Sequence, residues 1–419
     1  MSPRTKPGAP RRAAIGALLA AALLALGRPA ASSADPGVSG YPGSIASTGD
    51  SMTQAWQTCP TPYTGCPLNS WSTGWNPAIN SHYTRILAAN PAISGQNFIY
   101  AAGGTKMNAL NSQALLAVAQ QVDYVTVLMG PNDVCASSVE TMTSVATYAS
   151  QFQAAMNTLS SGLPDARIFI ASVPDIYRLW EVLHTDPAAV AAWDPSSGHC
   201  QSLLANPTSM AQADVDRRAA VRQRNIDYNT QLQQICAQYV HCRFDGNAVF
   251  DHAFGAADVS TVDYFHLNIA GGTALASVTW SATFNFTDTT LPVSAATSAP
   301  AVGGIDVTIT ATDDVGVSGV EYRIGAGPWV RYTAPVLVPA GSAITYRAVD
   351  VNGNIEATKS VSAGAPGAVG GIAEAPDVAA LPVRDGTAAG GGAAYAIGVM
   401  IVAVVGVLVA GARAVRRRV

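Results

Sequence analysis

What the chain lacks narrows its chemistry first. No acidic residue occurs among the first 34, and no charge of either sign lies between Ala393 and Ala412. Basic residues are scarce between the ends: of 23, five stand in the first 34 residues and four in the last seven. That leaves 14 against 27 acidic residues, a formal charge of about −13 on the intervening part, which argues against nucleic-acid binding. There is no Cys-x-x-Cys pair and the histidines do not cluster at ligand spacing, so zinc is the weaker reading of the six cysteines. The Gly-x-Ser-x-Gly elbow is also missing, which counts against an α/β-hydrolase fold.

The ends read as addresses. Arg4, Lys6, Arg11 and Arg12 precede an apolar run from Ala13 to Leu26; Arg28 follows, and Ser32-Ser33-Ala34 offers a small-residue cleavage site. Residues 1–34 are therefore expected to be a secretory signal peptide. Ala-Ala-Ile follows Arg11-Arg12 where a twin-arginine signal has bulky apolar residues, so general secretion is the expectation. Residues 393–412 are long enough to cross a hydrocarbon core of roughly 30 Å. Arg413, Arg416, Arg417 and Arg418 then mark 413–419 as a cytoplasmic tail. Residues 363–392, rich in Ala, Gly and Pro, read as a flexible linker. The expected localisation is the cell membrane, single-pass, with the body of the protein outside.

In that oxidising compartment an even number of cysteines points to disulfides. Fifteen pairings are possible. The short spacings Cys59/Cys66 and Cys236/Cys242 suggest local loops, leaving Cys135 with Cys200. Each bond contributes roughly 2–4 kcal/mol.

Between residues 35 and 286, short apolar runs alternate with longer helix-like stretches. The strand candidates are Ser44–Thr48, Asn97–Ala101, Tyr124–Met129, Arg167–Val173 and Cys242–Phe244. Asn111–Gln121 and Thr143–Ser160, among the segments between them, repeat apolar residues every three or four positions. Strands spaced by helices imply a parallel sheet covered on both faces, an α/β fold. From 288 to 362 helix signals vanish. Short alternating segments (Asp306-Val-Thr-Ile-Thr, Val320-Glu-Tyr-Arg-Ile, Ile344-Thr-Tyr-Arg-Ala-Val) alternate with turn residues, as in a small β-sandwich.

Four short motifs in the first domain carry chemistry: Gly49-Asp50-Ser51, Ala101-Ala-Gly-Gly-Thr105, Gly130-Pro-Asn-Asp133 and Asp263-Tyr-Phe-His266. Three follow a strand candidate at once, and the fourth follows the last strand candidate beyond a loop, so they are expected to meet at one sheet edge. Ser51 supplies a hydroxyl that becomes a nucleophile only when a base takes its proton, and His266 can be that base. Asp263 can hold the imidazole's other N–H and set its tautomer. The backbone N–H groups of Ser51 and Gly103 and the Asn132 amide can stabilise an oxyanion. Each motif alone is also an ordinary turn, strand end or helix cap; their conjunction is the signal.

In these residues the chain resembles the SGNH (GDSL) hydrolases over about 44–280. The resemblance implies a flavodoxin-like three-layer α/β/α fold, catalytic residues Ser51, Asp263 and His266, and an oxyanion hole of Ser51, Gly103 and Asn132. Leu267 stands where that family usually has proline after the histidine, and the second motif could register on Gly104 instead of Gly103. The stretch 288–362 resembles bacterial immunoglobulin-like modules, with Asp350-Val-Asn-Gly-Asn354 as the closing turn.

The expected activity is hydrolysis of carboxylic esters, an esterase or lipase acting on a lipid or acylated glycan, without cofactor or metal. The alternatives are a polysaccharide O-deacetylase using the same site, and a non-catalytic adhesin or wall-binding protein. Among lesser features, Trp56, Trp71 and Trp75 could wall the cleft or pack the core. The segment from Pro174 to Arg224, with Tyr177 and Trp180, could supply the other wall. Asp216-Arg-Arg with Arg222 and Arg224 reads as a solvated helix face. His82, His184, His199, His241 and His252 lack linked partners and read as structural or surface residues.

Overall fold

The computed structural model describes residues 40–364. The expected signal peptide (1–34), all but the first two residues of the linker (363–392), the span (393–412) and the tail (413–419) lie outside the described residues. Among the described residues no helix is long and apolar enough to cross a membrane.

Five parallel strands form the first sheet: β1 (Ile45–Gly49), β2 (Asn97–Ile99), β3 (Tyr124–Leu128), β4 (Arg167–Ile170) and β5 (Cys242–Phe244). Their order is β2-β1-β3-β4-β5, the flavodoxin-like arrangement in which ligands gather beyond the strands' carboxyl ends. Every residue of β1, β3 and β4 is buried, because helices cover both faces. Alternate residues serve opposite cores. Ala46, Val125, Val127, Ile168 and Ile170 pack with Phe152, Leu159 and Leu232 from helices Val145–Gly162 and Gln212–Cys236. Ile45, Leu128 and Phe169 pack with Ile86 and Leu275 on the other side.

The fourth strand is shorter than its apolar run. Beyond Ala171 the backbone leaves the ladder: the Ser172 N–H donates to Asp245 at 2.9 Å and the Val173 N–H to Asn229 at 2.8 Å. Side chains thus replace a neighbouring strand as acceptors. The arginine-rich face is only in part solvated: Asp216 and Arg222 are exposed, but the others turn inward. Arg218 is 1 % exposed, with its guanidinium 4.1 Å from the Trp180 ring centroid. Arg224 donates to the Thr143 carbonyl, and Arg222 pairs with Asp175 at 2.7 Å. One face of helix Gln212–Cys236 is packed, and there Arg218 and Arg224 find partners within the fold.

The second region is all-β. Strands β6 (Val293–Ala301), β7 (Gly304–Thr312) and β10 (Val336–Pro339) form one antiparallel sheet. Strands β8 (Val317–Ile324), β9 (Val330–Arg331), β11 (Ala343–Asp350) and β12 (Lys359–Ser362) form the other. Val307, Ile309 and Val338 of the first sheet share a core with Val320, Ile344 and Tyr346 of the second.

Charge and hydrogen bonding lock this region to the first. Arg167, 3 % exposed at the start of β4, donates to the carbonyls of Asn352 and Gly40 and to Asn354 Oδ1 at 2.8, 2.9 and 3.0 Å. Desolvation pulls its guanidinium down to about 10. Arg347 of β11 reaches Asp165 at 2.6 Å and Glu321 at 3.0 Å. Arg167→Met would leave three acceptors with no donor, at roughly 1–3 kcal/mol for each buried one. We therefore expect a loss on the order of 2–4 kcal/mol in urea unfolding, with both regions still melting in one transition; a neutral variant would contradict the interface.

Candidate active site

Glycine makes the first turn possible. Gly49 closes β1 at φ +139°, and a Cβ there would lie 2.2 Å from the Leu128 carbonyl oxygen. The chain can then reverse immediately, carrying Ser51 over the sheet's carboxyl edge. Gly130 does the same after β3 at φ +145°, where a Cβ would meet Val173 at 2.5 Å. It opens the short helix Pro131–Val134 that carries Asn132.

The histidine arrives on a loop. Between β5 and helix Ile269–Ala282, the Asp263 Oδ1 accepts from the N–H groups of Phe265 and His266 at 3.0 and 3.1 Å. That tight turn puts Tyr264 at φ +51°. It frees Asp263 Oδ2 to meet His266 Nδ1 at 2.7 Å, while His266 Nε2 lies 2.9 Å from Ser51 Oγ. A carboxylate only accepts hydrogen bonds, so Nδ1 carries the proton and Nε2 is left to accept from the serine hydroxyl. Burial alone would raise the Asp263 carboxyl, but the hydrogen bonds and charge of His266 outweigh it and hold Asp263 below its usual range. Leu267, standing where proline was expected, pairs with Val259 in an isolated antiparallel bridge, and its side chain reaches the cavity beside Ser51. Asn268 caps the following helix by accepting from the Gly271 N–H at 3.1 Å.

The donor side is partly engaged. Asn132 Nδ2 donates to the Thr105 carbonyl at 2.9 Å, which leaves its second N–H. The Gly103 N–H, its only donor, points to Gln54 Oε1 at 2.9 Å. Gln54 is held from behind by Gly65, where a Cβ would overlap its side chain at 2.5 Å. Sequence reasoning missed Gln54, because a glutamine inside a loop carries no signal of its contact. Gly103 and Gly104 both line the groove at Ser51, so the motif's register does not change which turn faces that serine.

The three tryptophans separate. Trp56 stands beside His266, ring centroids 6.2 Å apart; Trp71 is core, 1 % exposed; Trp75 points to solvent. The segment after β4 does form a cleft wall, but through Ile176, Leu179 and Val182; Trp180 packs beneath it. His199 lines the groove at Ser51, whereas His82 is buried between Tyr124 and Thr279 at 3.0 and 2.9 Å. The cysteines form Cys59–Cys66, Cys135–Cys200 and Cys236–Cys242. Among the described residues no group of histidine, cysteine, aspartate or glutamate is placed to hold a metal ion.

Beside Ser51 lie two buried carboxyls. Burial, with the charge of Asp133 adding to it, pushes the Asp50 carboxyl from 3.8 up to about 7. Asp50 Oδ2 and Asp133 Oδ1 are both buried without a hydrogen-bond partner. Between pH 3.8 and about 7 the folded chain keeps a proton at Asp50 that the unfolded chain releases, so stability falls as pH rises through that window. Asp50→Asn removes the effect while keeping an acceptor for the Met52 N–H. Its melting temperature, measured against wild type, is expected to gain more at pH 8 than at pH 5. A difference independent of pH would contradict the assignment.

Residues 48–274, more than half of the chain, match the family model described as GDSL-like Lipase/Acylhydrolase family. Among solved structures, an acetylxylan esterase from Geobacillus stearothermophilus, determined as a catalytic mutant, is 17% identical, with a TM-score of 0.33 over 57% of this chain and 92% of that one. A phospholipase A1 from Streptomyces albidoflavus NA297 is 15% identical, with a TM-score of 0.35 over 58% of this chain and 100% of that one. A family 3 carbohydrate esterase from Clostridium thermocellum is 12% identical, with a TM-score of 0.33 over 57% and 94%. Likeness at this level says nothing of substrate, and no curated protein matches the chain. On the family match, the chain belongs to the GDSL-like lipase/acylhydrolase family.

Proposed function

We propose that this protein hydrolyses carboxylic esters through an acyl-serine intermediate, with Ser51 as nucleophile, His266 as general base and then acid, and Asp263 holding the imidazole. The observation that carries this reading is the unbroken line from Asp263 Oδ2 through His266 to Ser51 Oγ, at 2.7 and 2.9 Å. Ser51 Oγ attacks the ester carbonyl as its proton passes to His266 Nε2. The carbonyl π electrons move onto oxygen, where the Ser51 N–H and the free N–H of Asn132 can donate to it. The Gly103 N–H joins them once the incoming oxygen displaces the Gln54 amide. Collapse expels the alcohol, which takes the proton from His266, and water then cleaves the acyl-serine by the same steps in reverse order.

The setting we propose is extracellular. The leader-like first 34 residues support export, and the uncharged stretch 393–412 followed by four arginines supports a single membrane anchor. On this division 35–286 is the hydrolase domain, 288–362 an immunoglobulin-like β-sandwich module, 363–392 a linker and 413–419 a cytoplasmic tail. Removal of acetyl groups from a polysaccharide would use the same site and is the second reading.

The purified protein is expected to cleave p-nitrophenyl esters and to take one fluorophosphonate label at Ser51. Ser51→Ala should abolish labelling and lower kcat by at least ~10⁴-fold. Asp263→Asn, which misdirects the tautomer, should cost on the order of 10²–10⁴-fold with labelling slowed in parallel. Full turnover by Ser51→Ala would sink the mechanism.

A further inference from the structure

Two of the spaces that open from Ser51 differ in character. One is an apolar cavity walled by Ile176, Leu179, Val182, Leu203, Val259 and Phe265 and open to solvent at its mouth. Ile176, Leu179, Val182 and Phe265 are only half-buried although each packs against the main core. The protein leaves this apolar surface uncovered in a concave site that begins at the nucleophile, the usual signature of an apolar ligand group. The charged groups nearby are already matched to one another: Arg178 donates to the Phe254 carbonyl and Glu181, and Asp175 pairs with Arg222. They leave no free charge to receive an ionic substrate group.

The other space is a groove formed by Trp56, Gly103, Gly104, Gly198 and His199, whose three glycines are exposed. Cys135 and Cys200 line both spaces. Their disulfide pins the loop carrying His199 to the turn carrying Asn132.

The geometry points to a division of the ester between these spaces, an inference that rests on the hydrolase reading above. The apolar cavity takes a linear acyl chain several carbons long. The open groove takes the alcohol part, and the Cys135–Cys200 disulfide is the partition that keeps them apart. The preferred substrate class is then an ester of a medium-length fatty acid, and an acetyl ester leaves the cavity empty. Val182, on the cavity wall, is a specificity-determining residue.

The test is a p-nitrophenyl ester series from acetate through butyrate and hexanoate to octanoate, run on the full chain and on Val182→Trp. Each buried methylene contributes about fourfold, so octanoate should exceed acetate in kcat/KM by at least about tenfold even with partial burial. Val182→Trp, which fills the cavity, should lower the octanoate-to-acetate ratio by about tenfold or more. If that variant does not fold, the wild-type series decides alone. Hydrolysis that is flat or falls with chain length overturns the acyl cavity but leaves the hydrolase reading intact. Absence of turnover on every ester, with no label at Ser51, overturns both.

Discussion

Everything at the edge of the parallel sheet depends on one hydrogen-bonded line, Asp263 to His266 to Ser51. Its ends lie 215 residues apart in the chain at the serine–histidine link and only three apart at the histidine–aspartate link. The short link is local turn chemistry: Asp263 accepts from two backbone N–H groups and needs no tertiary help to face His266. The long link exists only because β1 and β5 belong to one sheet, with crossovers that return every strand in the same direction. Fold stability and the proposed chemistry are joined at that contact, since an ångström of drift between the loops would break the hydrogen-bonded line.

The surroundings show what holding that contact entails. The turn before the serine needs a glycine because the Leu128 carbonyl sits where any other side chain would begin. Asp50 and Asp133 are buried beside it, and desolvation raises both carboxyls. Asp50 accepts from the Met52 N–H within the serine turn, and Asp133 accepts from the Met107 N–H, which ties the Asn132 turn to the segment behind it. Buried acids with one oxygen unpartnered are unfavourable for folding. Their place beside Ser51 matches the general pattern that strained or costly groups gather where geometry must be held.

Much of this was legible in the residues. The strands announced themselves as short apolar runs, and Gly49-Asp50-Ser51 and Gly130-Pro-Asn132 fell at the ends where a parallel sheet collects chemistry, with Asp263-Tyr-Phe-His266 on a loop beyond the last strand. What could not be read were contacts made by side chains with no local pattern. Gln54 meets Gly103 only because Gly65 leaves room for it. Arg218 looks like a surface cation until Trp180 is placed beneath it. Arg167 sits at the head of an apolar strand, and nothing nearby in sequence shows that its partners are residues 40, 352 and 354. The β-region reads as an appended module in sequence, yet its Arg347 pairs with Asp165 of the sheet domain and its Glu321 meets His241 at 3.1 Å.

The most direct test of the central claim is the covalent intermediate itself. Mixing the protein with a p-nitrophenyl ester and quenching in acid within the first turnover should give a burst of nitrophenol near one equivalent. Mass spectrometry should then find the acyl group on the peptide containing Ser51. A burst with the acyl group on another residue, or turnover with no acylated protein at any time, would contradict the account.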